Sequence, residues 1–279
     1  MAHTLEQAIA AGADLLASSS ESAKLDAQVL LLHILQKPRS YLFTWPEHAL
    51  SDEQQSQFNV FIQRRLKGEP VAHITGLREF WSLSLEVNAT TLIPRPDTET
   101  LVEQALEIAL PATAKVLDLG TGTGAIALAL GSEMPSWQIT AVDRVSDAVA
   151  LATRNQQRLA INNVHVKQSN WFSELHGEKF NLIVTNPPYI ESSDIHLNQG
   201  DVRFEPLSAL VADDCGMSDI KQIITQSRDY LSSNGYLLIE HGFEQGEAVR
   251  HFFEKMAFVN IKTVKDLGNN DRVTLALWP

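Results

Sequence analysis

From residue 115 onward, short apolar runs and helical stretches take turns, and this alternation limits the possible folds more than any other feature. The runs are 115–119 (KVLDL), 138–142 (QITAV), 164–168 (VHVKQ), 180–184 (FNLIV) and 235–240 (GYLLIE). Between them lie stretches such as 146–160, which read as helix. Strands separated by helices pair in parallel, with helices on both faces of the sheet. The C-terminus departs from this. Runs 259–264 and 272–278 are joined by Gly268, Asn269, Asn270 and Asp271, all turn formers. They predict a hairpin, so one strand runs antiparallel to the rest.

The first 75 residues predict a small helical bundle. Thr4 to Gln7 and Ser51 to Gln54 each have the spacing of a capping box, in which a hydroxyl and an amide three residues on cap each other's backbone. Ser22 is expected to cap the helix carrying Leu25, Val29 and Leu32, which Lys37-Pro38 ends. A helix carrying Phe58, Ile62 and Leu66 closes near Gly68. Alternation over 81–87 (WSLSLEV) predicts a half-buried strand. The division is therefore a helical domain at 1–75, a β connector at 76–90 and an α/β domain at 91–279. A length of 279 residues suits about two domains.

Composition narrows the function. Hydrophobic residues at 44% and charged residues at 20% are ordinary for a globular chain. No apolar run approaches the roughly 18 residues of a membrane span. No Lys or Arg precedes Lys24, and Asp14 interrupts the first apolar stretch, so a secretory signal is not expected. A single cysteine, Cys215, excludes an internal disulfide framework and fits a reducing cytoplasm. The formal charge of −12 argues against a phosphate-binding surface. Arg64, Arg65 and Lys67 form a local basic cluster, read as a solvated helix face. The nine histidines, from His3 to His251, include no pair with metal-ligand spacing, and no metal is expected.

Four segments carry chemistry. Asp118 to Gly124 (DLGTGTG) joins a strand to a helix. Glycines there let a ligand approach the backbone, and helix N-terminal amides favour negative groups. Asp143 ends the next strand, where a carboxylate can accept from both ribose hydroxyls of an adenosine. Together they imply an adenosine-containing cofactor. Asn170 and Trp171 follow the third strand, where Asn170 could accept from the adenine amine and Trp171 could pack on the ring. Asn186-Pro187-Pro188-Tyr189 follows the fourth, at the edge where open α/β sheets bind ligands. An amino nitrogen conjugated to a π-system is a poor nucleophile with two N–H groups to satisfy. The Asn186 side-chain oxygen and the Pro187 carbonyl could accept one each, and prolines bring no competing N–H. Those acceptors would aim the lone pair at a sulfonium methyl and stabilise the charge growing on nitrogen. Tyr189 would offer its ring to a planar substrate.

At this point the chain resembles the peptide chain release factor glutamine methyltransferases over nearly its whole length. The resemblance rests on residues 78–81 (REFW), 93–99 (IPRPDTE), 116–124 (VLDLGTGTG), 186–189 (NPPY) and 200–206 (GDVRFEP). It implies a Rossmann-like class I methyltransferase fold: a seven-stranded sheet with an antiparallel C-terminal hairpin strand, plus the N-terminal helical bundle. It implies S-adenosylmethionine as cofactor. Gly120, Thr121, Gly122, Thr123 and Gly124 would line its methionine end and ribose, Asp143 would hold the ribose hydroxyls, and Asn170 and Trp171 would flank the adenine. Asn186 would also border the cofactor. Asn186, Pro187, Pro188 and Tyr189 would hold the substrate glutamine, with Asn186 and Pro187 carrying catalysis. That glutamine lies in the Gly-Gly-Gln loop of release factors, which the helical domain would help to bind. Many class I methyltransferases carry Asp where this chain has Asn170, which keeps an acceptor oxygen but loses the charge. The expected enzyme is a monomer acting on protein, not nucleic acid. Alternatives are glutamine methylation of a ribosomal protein, amino methylation of nucleic acid, and a scaffold that only binds partners.

Overall fold

The computed structural model describes residues 4–279; His3 and the first three positions of the 1–75 span lie outside the described residues. Two compact units divide the chain. One runs up to Leu77 and includes Asn198–Phe204; the other comprises Arg78–Leu197 and Glu205–Pro279.

The first unit packs α1 (Leu5–Leu16), α2 (Ala23–Leu35), α3 (Ser40–Thr44), α4 (Asp52–Leu66) and α5 (Val71–Thr75) around Leu5, Leu16, Leu30, Leu31, Phe58 and Ile62. Thr4 and Ser51 both close full capping boxes. Gly12, inside α1, admits α4, since a Cβ there would lie 2.9 Å from the Phe58 ring. Ser22 does stand at the start of α2 but makes no cap. Its hydroxyl donates instead to Asp26 Oδ1 (2.8 Å), because Asp26 is buried and collects donors. Arg65 Nε supplies another to that carboxylate (2.8 Å), and Arg65 Nη1 reaches Asp201 (3.0 Å). Arg64 pairs with Glu69. The expected solvated face is thus a set of ion pairs, with Arg65 largely buried.

β1 (Leu77–Phe80), which opens at the boundary residue Leu77, and β2 (Leu83–Glu86) form a small hairpin. The strand expected over 81–87 is shorter, because Trp81 and Ser82 take positive φ (51° and 59°) and make the turn. Helix α6 (Glu99–Glu107) follows. The main sheet is built from β3 (Lys115–Leu119), β4 (Gln138–Asp143), β5 (Val164–Gln168), β6 (Phe180–Thr185), β7 (Leu231–Glu240), β8 (Val259–Lys265) and β9 (Asp271–Trp278). Its helices are α7 (Ala125–Glu133), α8 (Ser146–Leu159), the short α9 (Asp213–Gly216), α10 (Ser218–Ser227) and α11 (Gly246–Lys255). The order is β5-β4-β3-β6-β7-β9-β8. The strands β5, β4, β3, β6 and β7 pair in parallel, and β9 runs antiparallel to both β7 and β8. Val116 and Leu182 lie in the core on one face of the sheet, Leu117 and Ile183 in the core on the other. Burial on both faces is what continuous apolar runs in a parallel sheet require.

Register places the site. Chain order reverses between β3 and β6, the position where open α/β sheets leave a crevice at their carboxyl ends. Leu119 is level with both Thr185 and Val142, and Asp143 with Gln168. Four strands therefore end in one row, and the residues just past them face the same crevice.

Candidate active site

A cleft enclosing roughly 920 Å³, including its open mouth, lies along that row. Gly120, Thr121, Gly122, Thr123, Asp143, Asn170, Trp171, Asn186 and Pro188 line it. Gly124 lies just behind the wall, starting α7. Pro187 is buried and does not line the cleft, and Tyr189 turns away from it toward the core.

The glycine loop holds its shape through backbone geometry. Gly120, Gly122 and Gly124 all have positive φ (70°, 56° and 86°), where a side chain is strained. A Cβ at Gly120 would stand 3.3 Å from the Trp171 ring, so loop and indole meet without one. The N–H groups of Gly120 and Thr121 both donate to the Val142 carbonyl (2.9 Å each). Beneath the loop Asp118 is fully buried; its Oδ2 accepts from the Thr121 hydroxyl (2.6 Å) and the Ala127 N–H (3.3 Å). Burial pushes its carboxyl up to about 7, against the pull of those two donors.

Asp143 is set in place by the backbone. Its Oδ2 accepts from the Gly122 N–H (3.0 Å) and its Oδ1 from the Val145 N–H (2.9 Å). Each carboxylate oxygen has about two acceptor sites, so both keep one for a ligand.

At the other end of the cleft, Asn186 Nδ2 donates to the Thr98 hydroxyl (3.2 Å). The Thr185 hydroxyl donates to the Leu119 carbonyl (2.8 Å), clamping the ends of β6 and β3 together. The Tyr189 hydroxyl faces Glu240 Oε1 (3.4 Å), and its carbonyl accepts from Gln245 Nε2 (3.0 Å). Burial raises the Tyr189 hydroxyl well above its ordinary range, and the Glu240 carboxylate adds to the effect.

Several wall residues have no role that the sequence alone assigns them. Residues between Thr90 and Thr98, with Ser208 and Ala209, form much of the lining. Arg95 Nη2 grips both oxygens of Glu205 (2.8 and 2.7 Å), and Glu205 Oε1 also accepts from the Ile93 N–H (3.1 Å). The strings IPRPDTE and GDVRFEP thus meet, although about 110 residues separate them. Asn155, buried in α8, donates to the carbonyls of Thr123 and Glu86 (3.0 Å each) and ties the loop to β2. Among the described residues no group of His, Cys, Asp or Glu could hold a metal ion, and no helix is long and apolar enough to cross a membrane.

The strand order, the glycine loop and the acidic end of β4 define a class I methyltransferase. A crystal structure of a methyltransferase from Pyrococcus furiosus shares the fold, with a TM-score of 0.55 at 16% identity over 77% of this chain and 96% of that one. The methyltransferase small domain matches residues 96–203, and the PrmC N-terminal domain matches residues 7–76. The release factor glutamine methyltransferase of Shewanella oneidensis is 60% identical over 94% of this chain and 92% of its own length. That of Escherichia coli K12 is 56% identical over 93% and 94%. The chain belongs to the release factor glutamine methyltransferase family.

Proposed function

We propose that this chain transfers a methyl group from S-adenosylmethionine to the side-chain amide nitrogen of the glutamine in the Gly-Gly-Gln loop of peptide chain release factors. The observation that carries the reading is Asn186. It lines a cleft shared with a glycine loop and an acidic strand end, and its amide nitrogen is already engaged by Thr98. Its oxygen is therefore the end free to accept an N–H.

The cofactor would supply an electrophilic methyl on a sulfonium. The cleft suits it: the positive-φ glycines leave the floor bare, and both Asp143 oxygens keep acceptor capacity for ribose hydroxyls. Trp171 packs against Gly120 where an adenine ring would lie, with the exposed Asn170 beside it. Asn186 Oδ1 accepts one N–H of the substrate amide, and the proposed acceptor for the other is the Pro187 carbonyl, although that residue is buried and off the cleft lining. The nitrogen lone pair then points along the cleft, and the acceptors stabilise positive charge as the C–N bond forms. The nitrogen sheds its proton after attack, when it is acidic, so positioning does most of the catalysis. Tyr189, held by Glu240, braces the loop from behind. The helical unit contributes to recognition of the release factor. The enzyme acts as a monomer, and the single Cys215 fits the cytoplasm.

Asn186→Ala is expected to lower kcat about 100-fold, the scale of one lost transition-state contact, with cofactor affinity nearly unchanged. Label transfer from methyl-labelled S-adenosylmethionine to a purified release factor, mapped by peptide mass, measures the first, and calorimetry the second. Equal loss of rate and cofactor affinity would remove the assigned role. Label that persists after the glutamine is changed would remove the assigned substrate.

A further inference from the structure

Asn186 anchors one end of the Asn-Pro-Pro-Tyr loop through its side-chain bond to Thr98. The rings of Pro187 and Pro188 fix their φ angles, so few torsions remain between Asn186 and Tyr189. Whatever holds Tyr189 therefore aims the rest of the loop. A strap, residues 210–216, runs beside that end. The Ile190 N–H donates to the Leu210 carbonyl (2.9 Å), and the Ala212 N–H to the Ile190 carbonyl (3.0 Å). Ile190 and Val211 thereby form an isolated parallel bridge.

The strap ends in a turn that its own residues disfavour. Asp214 and Cys215 have left-handed φ (58° and 53°), and Gly216 follows at 79°. Successive L-residues adopt this conformation where their surroundings impose it. The turn brings the Gly216 backbone against Tyr189: a Cβ at Gly216 would collide with the Tyr189 carbonyl, 2.7 Å from its carbon. Gln245, just before α11, ties loop and turn together. Its Oε1 accepts from the Gly242 N–H (2.8 Å), and its Nε2 donates to the carbonyls of Tyr189 (3.0 Å) and Cys215 (3.2 Å). A backbone N–H can only donate and a carbonyl can only accept, so this amide fits one way round. Its donor end spans the loop and the strained turn at once.

We propose that Gln245 is a positioning residue for methyl transfer: it pins the Tyr189 carbonyl to the left-handed turn at 214–216 and so fixes the loop that carries Asn186. The role rests on the assignment of Asn186 as the substrate acceptor. Gln245 and Gly216 do not line the cleft, so they act on the reaction through the loop.

The test compares Q245M, Q245E, G216A and G177A, using labelled cofactor and intact release factor, with calorimetry for cofactor Kd and circular dichroism for the fold. Q245M keeps the length of the side chain and loses its hydrogen bonds. It should lower kcat about tenfold, the scale of one lost orienting hydrogen bond, with cofactor Kd and release-factor KM within about twofold of wild type. Q245E keeps the acceptor for Gly242 but loses the donor, so it should be at least as slow as Q245M. G216A and G177A place alanine at the same left-handed φ (79° and 77°), but nothing lies within 4 Å of a Cβ at Gly177. G177A should keep the wild-type kcat, whereas G216A should lose at least as much as Q245M. If G216A does not fold, the two Gln245 variants decide. Q245E near the wild-type rate would confine Gln245 to the start of α11 and overturn the proposal. So would a Q245M that weakens cofactor binding or raises KM at unchanged kcat, or a folded G216A at the wild-type rate. A wild-type chain that labels no release factor would instead overturn the function on which the proposal rests.

Discussion

Asp118 and Glu240 are carboxyls buried in the core with their charged forms poorly supported, and both are pushed up to about 7. In the unfolded chain they titrate at ordinary carboxylate values of about 4. Between those limits the folded state holds protons that the unfolded state has lost. Their stabilising contribution is therefore full below about pH 4 and fades as the pH rises through about 7. D118N and E240Q remove the titration, so their melting temperatures should depend less on pH between about 5 and 8 than that of the wild type. Calorimetry across that range checks it, and unchanged slopes in both variants would refute it. The same two residues serve the site from below, Asp118 by holding Thr121 and the start of α7, Glu240 by holding Tyr189.

Among elements, the segment from Thr90 to Thr98 is the wall of the cleft with the least secondary structure of its own. Its shape depends on Arg95, which grips Glu205, and on the Ile93 N–H, which donates to the same carboxylate. The Glu205 side chain has no exposure, while that of Arg95 is 31% exposed. Breaking a buried pair by removing one partner costs about 3–5 kcal/mol, and partial exposure of Arg95 lowers this to roughly 2–3 kcal/mol. Arg95→Ala should thus lose about that much stability in denaturant titration and also weaken cofactor binding, since Arg95 lines the cleft. Retained stability with retained binding would show that the loop stands without the pair. The register of β3, β4, β5 and β6 does the complementary work, aligning four strand ends in one row.

For the whole molecule, net charge opposes the nucleic-acid reading of the NPPY motif. A formal charge of −12 disfavours contact with a phosphate backbone, and in the local basic cluster Arg64 and Arg65 are spent on Glu69, Asp26 and Asp201. Binding to naked RNA at about 150 mM salt should not exceed that of a neutral control protein, as fluorescence anisotropy would read. Strong binding that weakens steeply with salt would reverse this.

Much of the α/β unit is legible along the chain because its determinants are local. A strand buried on both faces is apolar nearly throughout, so 115–119 can be read to the residue, while the edge strand 164–168 is marked by its bounds in the alternation and not by full burial. Glycines at positive φ, and a proline pair after a strand, are written into the backbone itself. The hairpin at 77–86 is less visible, because its turn uses Trp81 and Ser82 in place of glycine or asparagine, and tertiary packing sets their φ. Ser22 looks like a cap until Asp26 and Arg65 meet in space. The sequence by itself determined the parallel sheet, its antiparallel hairpin strand and the glycine, acidic and NPPY corners of the cleft. Tertiary structure alone decided that Arg95 would meet Glu205, that Asn186 would meet Thr98 and that Tyr189 would meet Glu240. Local propensity acts over a few residues, whereas a buried polar group takes its partner from wherever the fold brings one within about 3 Å.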